Sequence, residues 1–137
     1  EQHTMLTLWC LFGSPLMLGC ELTKLDDSTL ALLTNRDVLS MLTPDCKPHQ
    51  VCLDDEKAIW CAYNAVTGEH FAAFFNLSDE THTIHCDIET LHVGDEPCAH
   101  KDASLTELWS KEKTSVSGSA ISVTPPAHGC LVFRVEN

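Results

Sequence analysis

The spacing of apolar residues changes near residue 44, and this change constrains the fold more than any other feature of the sequence. Before that point apolar side chains recur every three to four residues, which is typical of amphipathic helices. After it, short alternating or fully apolar runs are separated by turn residues, which is typical of β-strands. The sequence therefore predicts a helical region over residues 1–43 and a β-rich region over residues 44–137.

The helical region begins with an apolar stripe that predicts a helix over residues 1–12. The stripe consists of Met5, Leu8, Trp9 and Phe12. Gly13-Ser14-Pro15 ends this helix, and the apolar residues 16–18 predict a short strand that is covered on both faces in a parallel sheet.

Two further helical segments follow that strand. Asp26 is positioned to cap the first of them, in which Leu30 and Leu33 share one face. Residues 34–37 resemble a capping box that restarts the helix through Leu42. A helix, a parallel-type strand and a helix are the repeating unit of an α/β barrel, and one such unit cannot bury its own faces.

The second region predicts at least six short strands with turn signals between them. They are residues 58–63, 71–75, 83–88, 105–109, 120–123 and 130–135. Val66-Thr67-Gly68-Glu69 predicts a hairpin between the first two. In the last strand, Leu131, Phe133 and Val135 alternate with Val132 and Arg134. This pattern indicates an antiparallel β-sandwich.

The charge of the chain excludes some classes of partner. Eight Lys and Arg stand against twenty Asp and Glu, which gives a formal net charge of −12. Nucleic acids and anionic membrane surfaces are bound by basic patches, so we expect neither as a partner. A lipid-carrying signal ending at Gly19-Cys20 is not expected either, because no Lys or Arg precedes Lys24. The chain starts without Met, and we expect it to be part of something longer.

The sequence contains eight cysteines, a high count, and none of them forms a C-x-x-C pair. Several occupy strand positions where an apolar residue would fit, such as Cys61 and Cys130. We therefore expect buried free thiols and a cytoplasmic location, with secretion as the alternative. No cofactor and no metal site are expected.

Two groups of motifs resemble α-galactosidases of glycoside hydrolase family 27 and its relatives. The stretch LWCLFGSPLMLGCELTKLDDSTLALLTNRDVL resembles the end of their catalytic (β/α)8 barrel. The matching residues are Trp9, Ser14, Pro15, Leu16, Gly19, Glu21, Leu22, Leu33, Asn35, Asp37 and Val38. HFAAFFNLSDE, LTELW and VTPPAHGCLVFRV are similar to stretches of the β-sandwich that follows that barrel.

The resemblance implies that residues 1–43 are the last helix–strand–helix of a catalytic barrel and residues 44–137 its C-terminal sandwich. Enzymes of this family are retaining, with one Asp as nucleophile and another as acid/base. Both lie on earlier barrel strands, the nucleophile in a K-Y-D type motif. The only Tyr here is Tyr63, which Asn64 follows, so no catalytic residue is carried over.

Glu21 is the one candidate that the resemblance gives for a role near a substrate. It follows the predicted strand at the end where barrel active sites lie. The family usually has Asp at this position beside Asn, whereas here Glu21 follows Cys20, and Thr23 replaces a frequent Arg. Glu21 either supports the residues that touch the sugar or is a solvated loop carboxylate, and the sequence leaves both interpretations open.

Other tempting groups have simpler structural interpretations. Asp26-Asp27 fits a helix cap better than an acid/base pair. The segment 82–86 places two His and a Cys together, but on a strand they do not share one face. Asn76-Leu77-Ser78 fits a glycosylation sequon, but without a secretory signal the end of a strand and its turn explains it better. Trp60 and Trp109 could stack on a sugar but suit a core better.

Three functional hypotheses follow. The first is the C-terminal part of an α-galactosidase-like hydrolase, inactive alone, whose intact form acts on terminal α-galactosides or related α-linked sugars. The second is a non-enzymatic sandwich that binds carbohydrate or another chain. The third is self-association through the barrel remnant, whose apolar face, including Trp9, Phe12 and residues 16–18, lacks neighbours.

Overall fold

The fold is mainly β, with antiparallel sheets, and a computed structural model describes residues 1–116 and 118–137. The helices in this part of the chain are α1 (Gln2–Leu11), α2 (Asp27–Leu33) and α3 (Arg36–Leu39), with short 3₁₀ helices at Leu22–Lys24 and Ile88–Thr90. The strands are β1 (Cys46–Leu53), β2 (Lys57–Asn64), β3 (His70–Asn76), β4 (Ile84–Asp87), β5 (His92–Val93), β6 (Glu96–Pro97), β7 (Ser104–Glu107), β8 (Lys113–Ser115), β9 (Ala120–Val123) and β10 (Cys130–Glu136).

Six of the strands form one large antiparallel sheet in the order β1-β2-β3-β10-β7-β8. The remaining strands form two small sheets, β4-β9 and β5-β6. The small sheets contribute to a core on one face of the large sheet, which includes Phe74 and Phe133. The helices contribute to a second core on the other face, which includes Phe71 and Phe75. The large sheet is therefore the middle layer.

The sequence of strand β3 is apolar throughout because both faces of the strand are buried. Ala72 and Phe74 point into one core, whereas Phe71, Ala73 and Phe75 point into the other. Because both faces of a central strand are covered, its residues do not alternate with polar ones. The predicted hairpin between β2 and β3 is confirmed, as is the alternation of Leu131, Phe133 and Val135 with Val132 in β10.

Helix α1 is confirmed, but the side that packs on the sheet is not the predicted stripe. Its buried residues are Leu6, Thr7, Cys10 and Leu11. Met5, Trp9 and Phe12 are exposed instead. Both sides of the helix carry apolar residues, so the period alone does not tell which side meets the sheet.

The strand predicted over residues 16–18 is not formed in this structure. A strand needs a hydrogen-bonded neighbour, and no sheet of the described chain includes these residues. The segment is held at its start, where the indole Nε1 of Trp9 donates to the carbonyl of Pro15 at 2.8 Å. Met17 is 84% exposed.

The capping residues are partly as predicted. The Asp26 side chain accepts from the backbone N of Thr29 at 2.7 Å and so caps α2. The cap of α3 is Asn35 rather than Thr34, and α3 ends at Leu39 rather than extending through Leu42. The Thr34 hydroxyl donates to the carbonyl of Leu30 at 2.7 Å, which leaves the capping position to Asn35.

Four strands were not predicted: β1, β5, β6 and β8. Strand β1 contains Pro48, which argues against a central strand. It lies at an edge of the large sheet, where proline is tolerated. The other three are two or three residues long, which is too short for a periodic pattern.

Candidate functional site

A half-open apolar groove with a volume of about 400 Å³ lies on the outer side of the helical layer. We call it the apolar groove. Most of its wall comes from Met5, Trp9, Leu16, Met17, Leu18, Leu32 and Leu33, with Gly19 and Cys20 also lining it.

The apolar groove brings together three segments that the sequence analysis treated separately. Met5 and Trp9 come from the outer side of α1, residues 16–18 from the segment without regular structure, and Leu32 and Leu33 from α2. Leu22 and Leu30 are also exposed, at 62% and 48%. Large apolar surface of this kind marks interaction sites. The groove therefore favours binding of another apolar surface over acid/base chemistry.

Glu21 follows Gly19 and Cys20, and its side chain is 59% exposed. Its Oε2 lies 2.9 Å from the Lys24 Nζ, and its Oε1 accepts from the Thr23 hydroxyl at 3.0 Å. The hydrogen bond from Lys24, and then the one from Thr23, lower the pKa of this carboxyl. Glu21 is therefore a carboxylate at neutral pH and can accept hydrogen bonds, but it is not a proton donor there.

Asp26 is occupied by its role as a cap. Its Oδ1 accepts from the backbone N of Thr29 and from the Ser28 hydroxyl, and the hydrogen bond from Thr29 is the main cause of its lowered pKa. Asp27 lies in the first turn of α2, where a negative charge is favourable.

The His and Cys residues of segment 82–86 do not converge on one point. His82 Nδ1 pairs with the Ser78 hydroxyl at 3.1 Å, and His85 Nδ1 pairs with the Ser122 hydroxyl at 2.8 Å. Cys86 is buried in the core. Within residues 1–116 and 118–137, no three His, Cys, Asp or Glu side chains are grouped so as to hold a metal ion.

Asn76 is a structural residue at the end of a strand, as predicted. It is 1% exposed, and its Nδ2 donates to the carbonyls of Glu80 and Pro125. Its Oδ1 accepts from the backbone N and the hydroxyl of Ser78. The amide nitrogen that a glycan would need is therefore buried and engaged.

Both tryptophans of the sheet region are partly buried and pack against the core to which the helices contribute, in line with their interpretation as core aromatics. The Phe12 ring lies edge-on to Trp60 at 4.8 Å, and the His3 ring lies edge-on to Trp109 at 4.4 Å. The indole Nε1 of Trp109 also donates to Thr7.

Tyr63 and Asn64 also make structural contacts. The Tyr63 ring stacks on His70 with centroids 4.7 Å apart. The Asn64 side chain accepts from the backbone N of Val66 and of Thr67, which shapes the turn between β2 and β3.

A polar junction between α3 and the large sheet was not found by sequence reasoning. Asp37 Oδ2 lies 2.6 Å from Lys111 Nζ, and its Oδ1 accepts from Arg134 Nη2 at 3.2 Å. Arg134 Nε lies 3.0 Å from Glu69 Oε1, and the Asn35 amide donates to the carbonyl of Leu108. In the sequence, the single Arg134 among the apolar residues of β10 was the signal that could have indicated this junction.

No helix of the described residues is long and apolar enough to cross a bilayer.

Residues 54–135 match the family model of the alpha galactosidase C-terminal beta sandwich domain. The chain belongs to this family. The match covers the β-rich region from the end of β1 to the end of β10, and it identifies the layered antiparallel sheets as this sandwich.

Relatives of this chain include glycoside hydrolases. Alpha-galactosidase A of Cellvibrio japonicus is 24% identical over 99% of this chain, which spans 35% of that protein. The crystal structure of a GH27 β-L-arabinopyranosidase from Geobacillus stearothermophilus is 30% identical, with a TM-score of 0.84 over 98% of this chain and 29% of that one.

A third relative extends the similarity of fold. Alpha-galactosidase I from Mortierella vinacea is 17% identical, with a TM-score of 0.83 over 98% of this chain and 36% of that one. At that identity the likeness concerns the fold alone. The chain spans about a third of the length of these relatives.

Proposed function

We propose that this chain is the C-terminal part of a retaining α-galactosidase-type glycoside hydrolase, whose intact form hydrolyses terminal α-galactosides or related sugars. The family match over residues 54–135 is the observation that carries the proposal. Similarity over almost the whole chain to hydrolases about three times its length supports it.

In this proposal, residues 1–43 complete the catalytic barrel and residues 44–137 are the sandwich beside it. The apolar groove supports this division, because Met5, Trp9 and residues 16–18 offer apolar surface to a neighbour. Residues 16–18 become the last barrel strand when an adjacent strand supplies hydrogen-bond partners. Glu21 then lies in the loop at the end of that strand and helps to position the residues that touch the sugar.

The reaction itself depends on two carboxyl groups that this chain does not supply. In a retaining enzyme one carboxylate attacks the sugar and the other group protonates the leaving oxygen. Of the acidic residues considered as sites, Asp26 caps a helix and Glu21 pairs with Lys24. The isolated chain is therefore expected to be inactive.

The chain offers a direct test by complementation. The purified 137-residue chain is incubated with nitrophenyl α-D-galactoside and with nitrophenyl β-L-arabinopyranoside, since one relative is a β-L-arabinopyranosidase. No release of nitrophenol is expected. The chain is then co-expressed with the Cellvibrio japonicus enzyme truncated before the matching segment, and hydrolysis is expected to appear.

Variants of the apolar groove test how the two parts associate. Met17→Asp places a charge in the groove and is expected to abolish complementation. Val66→Asp places the same charge on the exposed turn between β2 and β3, where Val66 is 74% exposed, and is expected to leave complementation unchanged. Turnover by the isolated chain, or equal activity of both variants, would refute the proposal.

When no barrel is present, we propose that the apolar groove causes self-association of the chain. Light scattering over a range of concentrations is expected to show a mass above 15.1 kDa that falls towards this value in Met17→Asp. A wild-type chain that stays monomeric would count against this part of the proposal.

We also propose a cytoplasmic location, with secretion as the alternative. The eight free cysteines, six of them buried, support a reducing compartment. To test this, intact cells are treated with maleimide, the protein is denatured in its presence, and the labels are counted by mass spectrometry. All eight cysteines are expected to carry a label.

A further inference from the structure

Two buried thiols from distant parts of the sequence are anchored to the same short segment. Cys61 lies on β2 and Cys98 directly follows β6, and neither has exposed surface. The Cys61 thiol donates to the carbonyl of His92 at 3.1 Å. The backbone N of Cys98 donates to the carbonyl of Leu91, the preceding residue, at 2.7 Å. Both cysteines are therefore held at the start of β5.

A second set of contacts places the two side chains on one part of β3. The Cys98 thiol donates to the carbonyl of Phe71 at 3.3 Å. Ala72, the next residue, is the cross-strand partner of Cys61. The two thiols thus meet between β3 and the start of β5, within one core. The neighbouring Cys98 thiol lowers the pKa of Cys61, and the Cys61 thiol together with burial raises the pKa of Cys98.

We propose that Cys61 and Cys98 form an intramolecular disulfide when the chain meets an oxidising pool of small-molecule disulfides such as glutathione disulfide. The bond fastens the β5-β6 hairpin to β2. This proposal concerns the sandwich itself and holds whether or not the chain is part of an enzyme.

The exchange is balanced in two steps. The Cys61 thiol loses its proton and attacks a sulfur of glutathione disulfide, which gives a mixed disulfide and releases one glutathione. Cys98 then loses its proton and attacks the Cys61 sulfur, which releases the second glutathione. The two cysteines are oxidised, one small disulfide is reduced, and the two protons end on the released thiols.

Access to the buried pair requires only a local opening. Strands β5 and β6 have two residues each, and they pair only with one another. Small elements of this kind open more readily than the central strands of a large sheet. The other buried cysteines differ in position: Cys10, Cys46 and Cys130 lie in the core on the opposite face of the large sheet. Cys86 shares the core of the pair but contacts the Thr90 hydroxyl.

The test is a peptide map of the oxidised protein. The full chain carrying Cys20→Ser, which removes the exposed thiol, is equilibrated with reduced and oxidised glutathione, alkylated with N-ethylmaleimide and digested without reductant. We expect two thiols to be lost and one cross-linked peptide to join Cys61 and Cys98. The melting temperature is expected to rise by on the order of 10 °C, because the bond closes a long loop.

Two further variants test whether the oxidation is specific to Cys61 and Cys98. Cys98→Ala is expected to abolish the intramolecular cross-link, whereas Cys130→Ala, on the opposite side of the sheet, is expected to retain it. The map of the chain with intact Cys61 and Cys98 decides the matter even if a variant does not fold. Retention of all thiols, a stable mixed disulfide with glutathione, or a cross-link to another cysteine would overturn the proposal.

Discussion

Replacing Asp37 with asparagine is expected to weaken the attachment of α3 to the large sheet. The Asp37 carboxylate contacts Lys111 at 2.6 Å and Arg134 at 3.2 Å, and both partners belong to the sandwich region. Asparagine keeps the shape of the side chain but removes its charge and replaces one acceptor oxygen with an NH2 donor. The variant therefore removes the ion pairs of the junction with little change in side-chain volume.

The expected loss of stability is about 1 kcal/mol at pH 7. Exposed ion pairs contribute about 0.2–1 kcal/mol each because water screens them. Asp37 is 39% exposed and Lys111 is 50% exposed, so their pair belongs to that class. Arg134 is only 24% exposed, which places its contact near the upper end. Lys111 also donates to Asn35 and to the carbonyl of Leu108, so it stays in place without Asp37.

The dependence on pH gives this prediction a definite sign. Hydrogen bonding from Lys111 is the main cause that lowers the pKa of Asp37 in the folded chain. A carboxyl with a lowered pKa contributes stability that is present above its unfolded pKa of about 4 and is lost as the pH falls through the folded pKa. The difference between wild type and Asp37→Asn is therefore expected to be constant from pH 7 to about 5 and to shrink below about 4.

Urea unfolding followed by tryptophan fluorescence measures this difference at each pH. The matched control is Asp95→Asn in the exposed turn between β5 and β6, which is expected to change stability by less than about 0.5 kcal/mol. Salt at 1 M is expected to reduce the Asp37 effect, since exposed charges are screened. An equal loss in both variants, or a loss that persists unchanged at low pH, would refute the reasoning.

Three further substitutions test the core. Glu107→Gln is expected to cost about 1–3 kcal/mol in urea unfolding, because the buried carboxylate accepts backbone N–H groups of the turn after β7 and of Val132. Asn76→Ala is expected to cost a similar amount in the same assay, since it removes the buried amide that donates to the carbonyls of Glu80 and Pro125 and accepts from the backbone N of Ser78. Phe74→Ala is expected to cost about 3–5 kcal/mol, against less than about 0.5 kcal/mol for the exposed Val66→Ala, and calorimetry compares them.

Local patterns were enough to locate the central elements of this fold. The apolar runs of β2, β3 and β10 and the turn at residues 66–69 fixed these strands and their hairpin. Asp26 was identified as a helix cap because capping depends only on the residues that follow it. The buried cysteines were identified because they occupy apolar positions in strands. The motifs in the same segments also indicated the family.

Other features depend on contacts between residues far apart in the sequence. Helix α1 is apolar on two sides, and only the sheet beneath it decides that Leu6 and Cys10 are buried while Met5 and Trp9 line the apolar groove.

Residues 16–18 have the composition of a strand, yet a strand forms only where a neighbour supplies hydrogen bonds. The junction of Asp37 with Lys111 and Arg134, and the convergence of Cys61 and Cys98, each join segments that no local pattern connects. The sequence by itself determined helix α1, the central strands and the family, because these follow from local spacing and motifs. Only the tertiary structure decided which faces are buried and which side chains meet, because packing selects among partners that the local pattern leaves equivalent.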